Sequence, residues 1–79
     1  MNEEKLKSCF GEALGIPSEQ VTDQLAYQSI KRWDSVAHMA LVAKIEGKFN
    51  VMLDTDEIIG MNTYAAARTL LEKRRIEFP

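Results

Sequence analysis

Apolar residues recur at helical intervals in separate stretches of this chain, and the polar gaps between them carry as much information as the stretches. Leu6, Cys9, Phe10, Ala13 and Leu14 share one helical face with charged residues between them, and Gly15 followed by Ile16-Pro17 is a stop signal. This predicts a first helix over 3–14. From Gly15 to Asp34 no period is sustained, and Pro17, Ser18, Asp23 and Ser29 interrupt the run. A connection this long within a compact domain is usually functional or disordered. Ile16, Val21, Leu25, Tyr27, Ile30 and Trp33 are spread along it as anchors onto a core, so a pinned loop is expected.

A second helix is predicted from Asp34, whose carboxylate can accept from free N–H groups of the first turn, to Phe49 or Asn50. The segment Asp54-Thr55-Asp56-Glu57-Ile58-Ile59-Gly60 reads as a short helical turn, acidic at its N-terminal end and closed by glycine. Thr63 then caps a last helix carrying Tyr64, Ala67, Leu70 and Leu71 on one face, with Lys73, Arg74 and Arg75 expected in its final turn. There are no repeats, and the nearest approach to a strand is Asn50–Leu53. The pattern predicts an all-α fold with a long loop between helices 1 and 2 and a short helix 3.

The second helix has two apolar sides. At about 100° per residue, Leu41, Val42, Ile45 and Phe49 fall together with His38 among them, and this side is expected to be core. Opposite lie Val36, Ala40, Ala43 and Gly47, with Met39 at the margin, a small and weakly apolar face suited either to another helix of the chain or to a partner protein. His38 reads either as a partly buried structural histidine or as a functional one.

Composition narrows the chemistry. Seventy-nine residues make one domain over 1–79, with a core too small to hold a deep substrate cavity, so a self-contained enzyme is not expected. No apolar run is long enough for a membrane span, and the start Met1-Asn2-Glu3-Glu4-Lys5 lacks the apolar segment of a secretory signal, which points to the cytoplasm. Cys9 and His38 are the only residues of their kinds, leaving neither an internal disulfide nor a Cys/His zinc site. A calcium loop starting at Asp54 would need glycine where Ile59 stands and a bidentate glutamate where Ala65 stands. A net charge of −2 from 12 acidic and 10 basic residues provides no footprint for nucleic acid.

What remains is Ser35, in Trp33-Asp34-Ser35-Val36 at the head of the second helix. A hydroxyl there lies beside unpaired N–H groups and the positive end of the helix dipole, where a bonded phosphate would be stabilised. Taken alone, a serine at a helix start is more often a simple cap. The surroundings add specificity: Asp34-Ser35-Val36, then Leu41-Val42, Ile45-Glu46 and Phe49, the acidic turn Asp54–Ile59, and Thr63-Tyr64.

In these residues nearly the whole chain resembles the acyl carrier protein family, whose fold is a four-helix bundle. The resemblance implies that Ser35 accepts 4′-phosphopantetheine from coenzyme A through a separate phosphopantetheinyl transferase, with Asp34 as motif residue and helix cap. The arm would then carry acyl groups as thioesters for enzymes that load, modify and transfer them, the carrier itself acting as a free-standing, non-catalytic monomer without stable membrane insertion. By the same resemblance the partner surface would include Val36, Met39, Ala43 and Glu46.

The departures are informative too. Carriers of fatty-acid synthesis usually have an acidic second helix, whereas Ala37, Ala40, Gly47 and Lys48 stand here, so electrostatic steering by this helix is expected to be weak. Lys31-Arg32 and Lys44 add positive charge nearby, and Trp33 replaces a small residue. These differences point to a specialised lipid, polyketide or related pathway. The alternative is a non-carrier helical interaction module in which Ser35 is only a cap and the Val36, Ala40, Ala43, Gly47 face binds a partner helix.

Overall fold

The computed structural model describes residues 2–78, which form four α-helices: α1 (Asn2–Leu14), α2 (Ser35–Phe49), α3 (Thr55–Gly60) and α4 (Tyr64–Lys73), with one turn of 3-10 helix at Ser18–Gln20. This is the helical bundle expected for an acyl carrier. Leu6, Cys9, Phe10 and Leu14 form the buried face of α1, as their spacing requires. Gly15 ends that helix at φ 68°, a left-handed conformation that glycine adopts without steric cost, and its N–H reaches back to the Gly11 carbonyl at 2.8 Å. A side chain at Gly15 would also meet the Arg32 guanidinium, 2.8 Å from an ideal Cβ.

The loop between α1 and α2 is pinned. Val21, Leu25 and Trp33 are buried, and Ile16, Tyr27 and Ile30 are half-buried against the same core. The loop also makes a contact that periodicity could not reveal, an antiparallel bridge between Ala26 and Thr63. The Tyr27 N–H donates to the Asn62 carbonyl at 2.8 Å and the Tyr64 N–H to the Leu25 carbonyl at 3.0 Å, so the loop is tied to the start of α4.

The anticipated caps are present. Asp34 accepts from the Ala37 N–H at 2.9 Å, and Thr63 Oγ1 from the Ala66 N–H at 2.9 Å. At α3, Asp54 and Glu57 satisfy each other's backbone N–H groups in a capping box, at 2.8 and 3.0 Å. The nearest approach to a strand resolves otherwise, and one expectation needs correction. Asn50–Leu53 forms no strand, because its N–H groups turn back on α2: Val51 donates to the Glu46 carbonyl at 3.2 Å and Leu53 to Glu46 Oε2 at 2.9 Å. Arg74 and Arg75 do not extend α4, because Arg75 adopts φ 67° in a Schellman turn in which the Ile76 N–H bonds to the Leu71 carbonyl at 3.1 Å. That turn brings Ile76 and Phe78 onto the core and leaves Arg74 on the Glu57 carboxylate.

The Arg74 guanidinium, helped by the Asp54 N–H, holds the Glu57 carboxyl below the ordinary glutamate range. A carboxyl depressed in the folded state contributes stability above its unfolded value, near 4.5, and loses it as pH falls through the lower folded value. The melting-temperature gap between wild type and Glu57→Gln is therefore expected to be widest at neutral pH and to shrink on acidification below that range. A gap independent of pH would refute this.

The core is closed by Leu6 and Phe10 of α1, Trp33 of the loop, Leu41 and Ile45 of α2, Met61 just after α3, and Tyr64 and Leu71 of α4. Phe10 sits edge-on to both Trp33 and Tyr64, at centroid distances of 5.4 and 5.1 Å, geometries favoured by the ring quadrupoles. Burial, with the Glu3 carboxylate adding to it, pushes the Tyr64 phenol far above its ordinary range. Among the described residues its buried hydroxyl has no hydrogen-bond partner. An unpaired buried hydroxyl carries its desolvation cost uncompensated, so Tyr64→Phe is expected to be neutral or to stabilise by up to about 1 kcal/mol in urea denaturation. A loss of more than that would show that the hydroxyl has a partner in solution.

Candidate functional site

The site begins with a buried anchor. Trp33 is wholly inaccessible to solvent, while Asp34 and Ser35, immediately after it, are exposed. The indole holds the chain to the core at the point where α2 starts, and Ser35 emerges as the first residue of that helix. The Asp34 carboxylate takes the Ala37 N–H and the Asp34 carbonyl takes the His38 N–H at 2.8 Å. The N–H groups of Ser35 and Val36 precede the first intrahelical bond and face outward at the positive end of the helix, an electrostatic setting favourable to an anionic group on the serine.

His38, one turn further on, points inward. Its Nδ1 accepts from the Trp33 indole N–H at 3.0 Å, and its Nε2 lies 2.8 Å from the Ile58 carbonyl. An indole nitrogen only donates and a carbonyl only accepts, so this pairing requires the neutral ring with its proton on Nε2. Both nitrogens are occupied, and His38 is a structural link between the loop, α2 and α3. It is not free to act as a base toward Ser35.

The outer side of α2 is open to solvent. Val36 is 78% exposed and Met39 55%, and Ala40, Ala43 and Gly47 are exposed with them, so no other described segment of the chain covers this face. Of the four residues singled out for a partner surface, Val36, Met39 and Ala43 lie on it. Glu46 lies lower on α2, half-buried, with its carboxylate engaged by the Leu53 N–H. Two exposed apolar side chains were missed by sequence reasoning, Met52 in the α2–α3 connection and Ile59 on α3, at 81% and 71% exposure. For Ile59 the adjacent pair Ile58-Ile59 was the available signal, since a single-turn helix lying on the core turns only part of its circumference inward; here Ile58 is half-buried against the core and Ile59 is exposed.

Charge around Ser35 is mixed. Among the described residues Lys44 pairs with Glu12 at 3.3 Å, and Lys31 and Arg32 are exposed before the motif. Of the acids on or next to α2, Asp34 and Glu46 each accept a backbone N–H. Among the described residues there is no group of three or more His, Cys, Asp or Glu side chains able to hold a metal ion, and no helix is long and apolar enough to cross a membrane.

Residues 4–71 match the family model for the phosphopantetheine attachment site. The match spans most of the chain, which therefore belongs to that family. No curated protein matches the chain. Family membership makes this a carrier domain that takes 4′-phosphopantetheine covalently, and it implies dealings with a transferase that installs the group and with enzymes that handle acyl groups. An exposed hydroxyl at the start of α2 is chemically suited to such a phosphodiester, with the helix dipole to stabilise it.

Capping and hydroxyl separate cleanly by mutation. Asp34→Ala is expected to cost about 0.5–2 kcal/mol, because the Ala37 N–H loses its acceptor, whereas Ser35→Ala leaves Asp34 in place and should change little. Urea denaturation of the two variants checks this. A larger loss for Ser35→Ala than for Asp34→Ala would overturn the assignment of the cap.

Proposed function

We propose that Ser35 is the residue that receives 4′-phosphopantetheine and that the chain carries acyl intermediates as thioesters on that arm. The observation that carries this reading is the exposed Ser35 hydroxyl at the first turn of α2, directly after the capping Asp34 and inside the family match. In the attachment reaction Ser35 Oγ forms a bond to the phosphorus nearer the pantetheine of coenzyme A. The bond from that phosphorus to the bridging oxygen breaks, and 3′,5′-adenosine diphosphate departs. The hydroxyl proton passes to a base of the transferase, since His38 already has both ring nitrogens engaged.

The domain is not an enzyme in this reading; it anchors, presents and docks as a cytoplasmic monomer, and its partners supply the chemistry. Val36, Met39 and Ala43 form the partner surface, with Glu46 at its lower edge. The exposed part of this surface is small and apolar, so recognition rests on shape and apolar contact more than on electrostatic steering. That character supports a specialised lipid, polyketide or related pathway.

The test is intact mass after incubation with coenzyme A and a broad-specificity phosphopantetheinyl transferase. Wild type is expected to gain one 4′-phosphopantetheine and Ser35→Ala none. No gain in wild type, or a gain that survives the substitution, overturns the proposal, and the first result would favour a module that only binds a partner helix.

A further inference from the structure

We propose that this carrier does not shelter an alkyl chain within its bundle, that Trp33 and His38 form the plug responsible, and that its cargo is accordingly a short or polar acyl group. The proposal rests on the reading of Ser35 as the attachment point. An alkyl chain tethered there would leave water for any apolar opening within reach, because burial of each methylene is favourable. On the α1 side of the start of α2 there is a groove, but Glu12, Arg32 and Asp34 line it with Val36 and Ala40, which does not suit an alkyl chain; the other opening within reach lies between α2, the long loop and α3.

Aromatic rings fill this region. Trp33 has no exposed surface, stacks on the His38 ring at 6.0 Å between centroids and stands edge-on to Phe10. Tyr27 closes the loop side, edge-on to Trp33 at 6.1 Å and to His38 at 5.4 Å. His38 spans the gap between α2 and α3 and is hydrogen-bonded at both ends, to the Trp33 indole N–H and to the Ile58 carbonyl. An incoming chain would have to displace the imidazole, leaving the buried Trp33 indole N–H without its acceptor and taking from the half-buried Ile58 carbonyl its side-chain partner, which is costly for the buried donor.

The structure also resists opening by movement of α3. Its N-terminus is closed by the Asp54–Glu57 capping box, Glu57 is in turn gripped by Arg74 from beyond α4, and the preceding residue Leu53 is tied to Glu46. The shallow groove on the other side of α3, toward α4, offers no substitute because Asp54, Asp56 and Lys73 line it along with its apolar residues. A long apolar cargo on this carrier would thus stay in water, exposed to hydrolysis and to association through its own tail. A short or polar one has little apolar surface to hide.

The experiment loads the full chain from acetyl-, octanoyl- and dodecanoyl-coenzyme A with the broad-specificity transferase. It follows melting temperature, the Trp33 indole N–H resonance and thioester hydrolysis relative to the same free acyl-pantetheine. The proposal expects one indole position for all three forms, no rise in melting temperature with chain length, and protection from hydrolysis differing by less than about twofold, since a chain that does not bind the folded state cannot stabilise it. His38→Ala and the milder core change Trp33→Leu should each unplug the bundle, producing a melting temperature and a protection that increase with chain length.

Chain-length-dependent stabilisation and a shifted indole resonance in the wild type would overturn the proposal. Absence of chain-length dependence in every variant that folds by circular dichroism would overturn the assignment of the plug, with His38→Ala deciding alone if Trp33→Leu does not fold. Failure of Ser35 to take any arm is read separately, from intact mass before the acyl series, and would remove the underlying function and this proposal together.

Discussion

The contact between the Trp33 indole and the His38 imidazole organises much of this molecule. A twenty-residue loop has few ways to hold its end against a helix, and burying a tryptophan supplies both a large apolar contribution and a single N–H that must find an acceptor. His38 provides the acceptor at 3.0 Å and, with its other nitrogen, reaches the Ile58 carbonyl near the end of α3. One side chain thereby joins the loop, the first turns of α2 and the short helix. The exposed serine owes its fixed position to this arrangement, since the residue two before it cannot move without leaving the core.

A second theme is how backbone polar groups are satisfied where helices are short. A six-residue helix such as α3 has almost no internal hydrogen bonding to stabilise it, so its ends must be completed from elsewhere. Asp54 caps its start with Glu57 completing the capping box, Arg74 braces Glu57 from beyond α4, and Glu46 accepts from the residue preceding the cap. Several of the acidic side chains near the site are thus committed to the backbone or to one cation. The open face of α2 is left with Val36, Met39, Ala40 and Ala43, a surface that can meet a partner closely but attracts it weakly over distance.

The helices were legible in the chain because they obey local rules. The buried residues of α1 recur at helical spacing, and Asp34, Asp54 and Thr63 each precede a helix and each cap it. The attachment motif was legible for the same reason, as a polar dipeptide lying at a predicted helix start. Pairings of residues far apart in sequence were not. The Ala26–Thr63 bridge and the Arg74–Glu57 contact that accompanies the early end of α4 both depend on how elements meet in space. The two faces of α2 fall between these cases: periodicity separated them, but only packing revealed that the outer one faces water.

Periodicity, caps and stop residues therefore determined, from the sequence alone, four helices, a pinned loop and a serine at the head of the second helix. These features arise from interactions within a few residues, where side-chain identity dictates backbone preference. Tertiary structure decided what His38 does, how the Tyr64 hydroxyl comes to be buried, and how firmly α3 is held against α2. Each of these outcomes depends on which groups meet across the core, and helical periodicity carries no signal of that encounter whether the partners lie 5 or 20 positions apart.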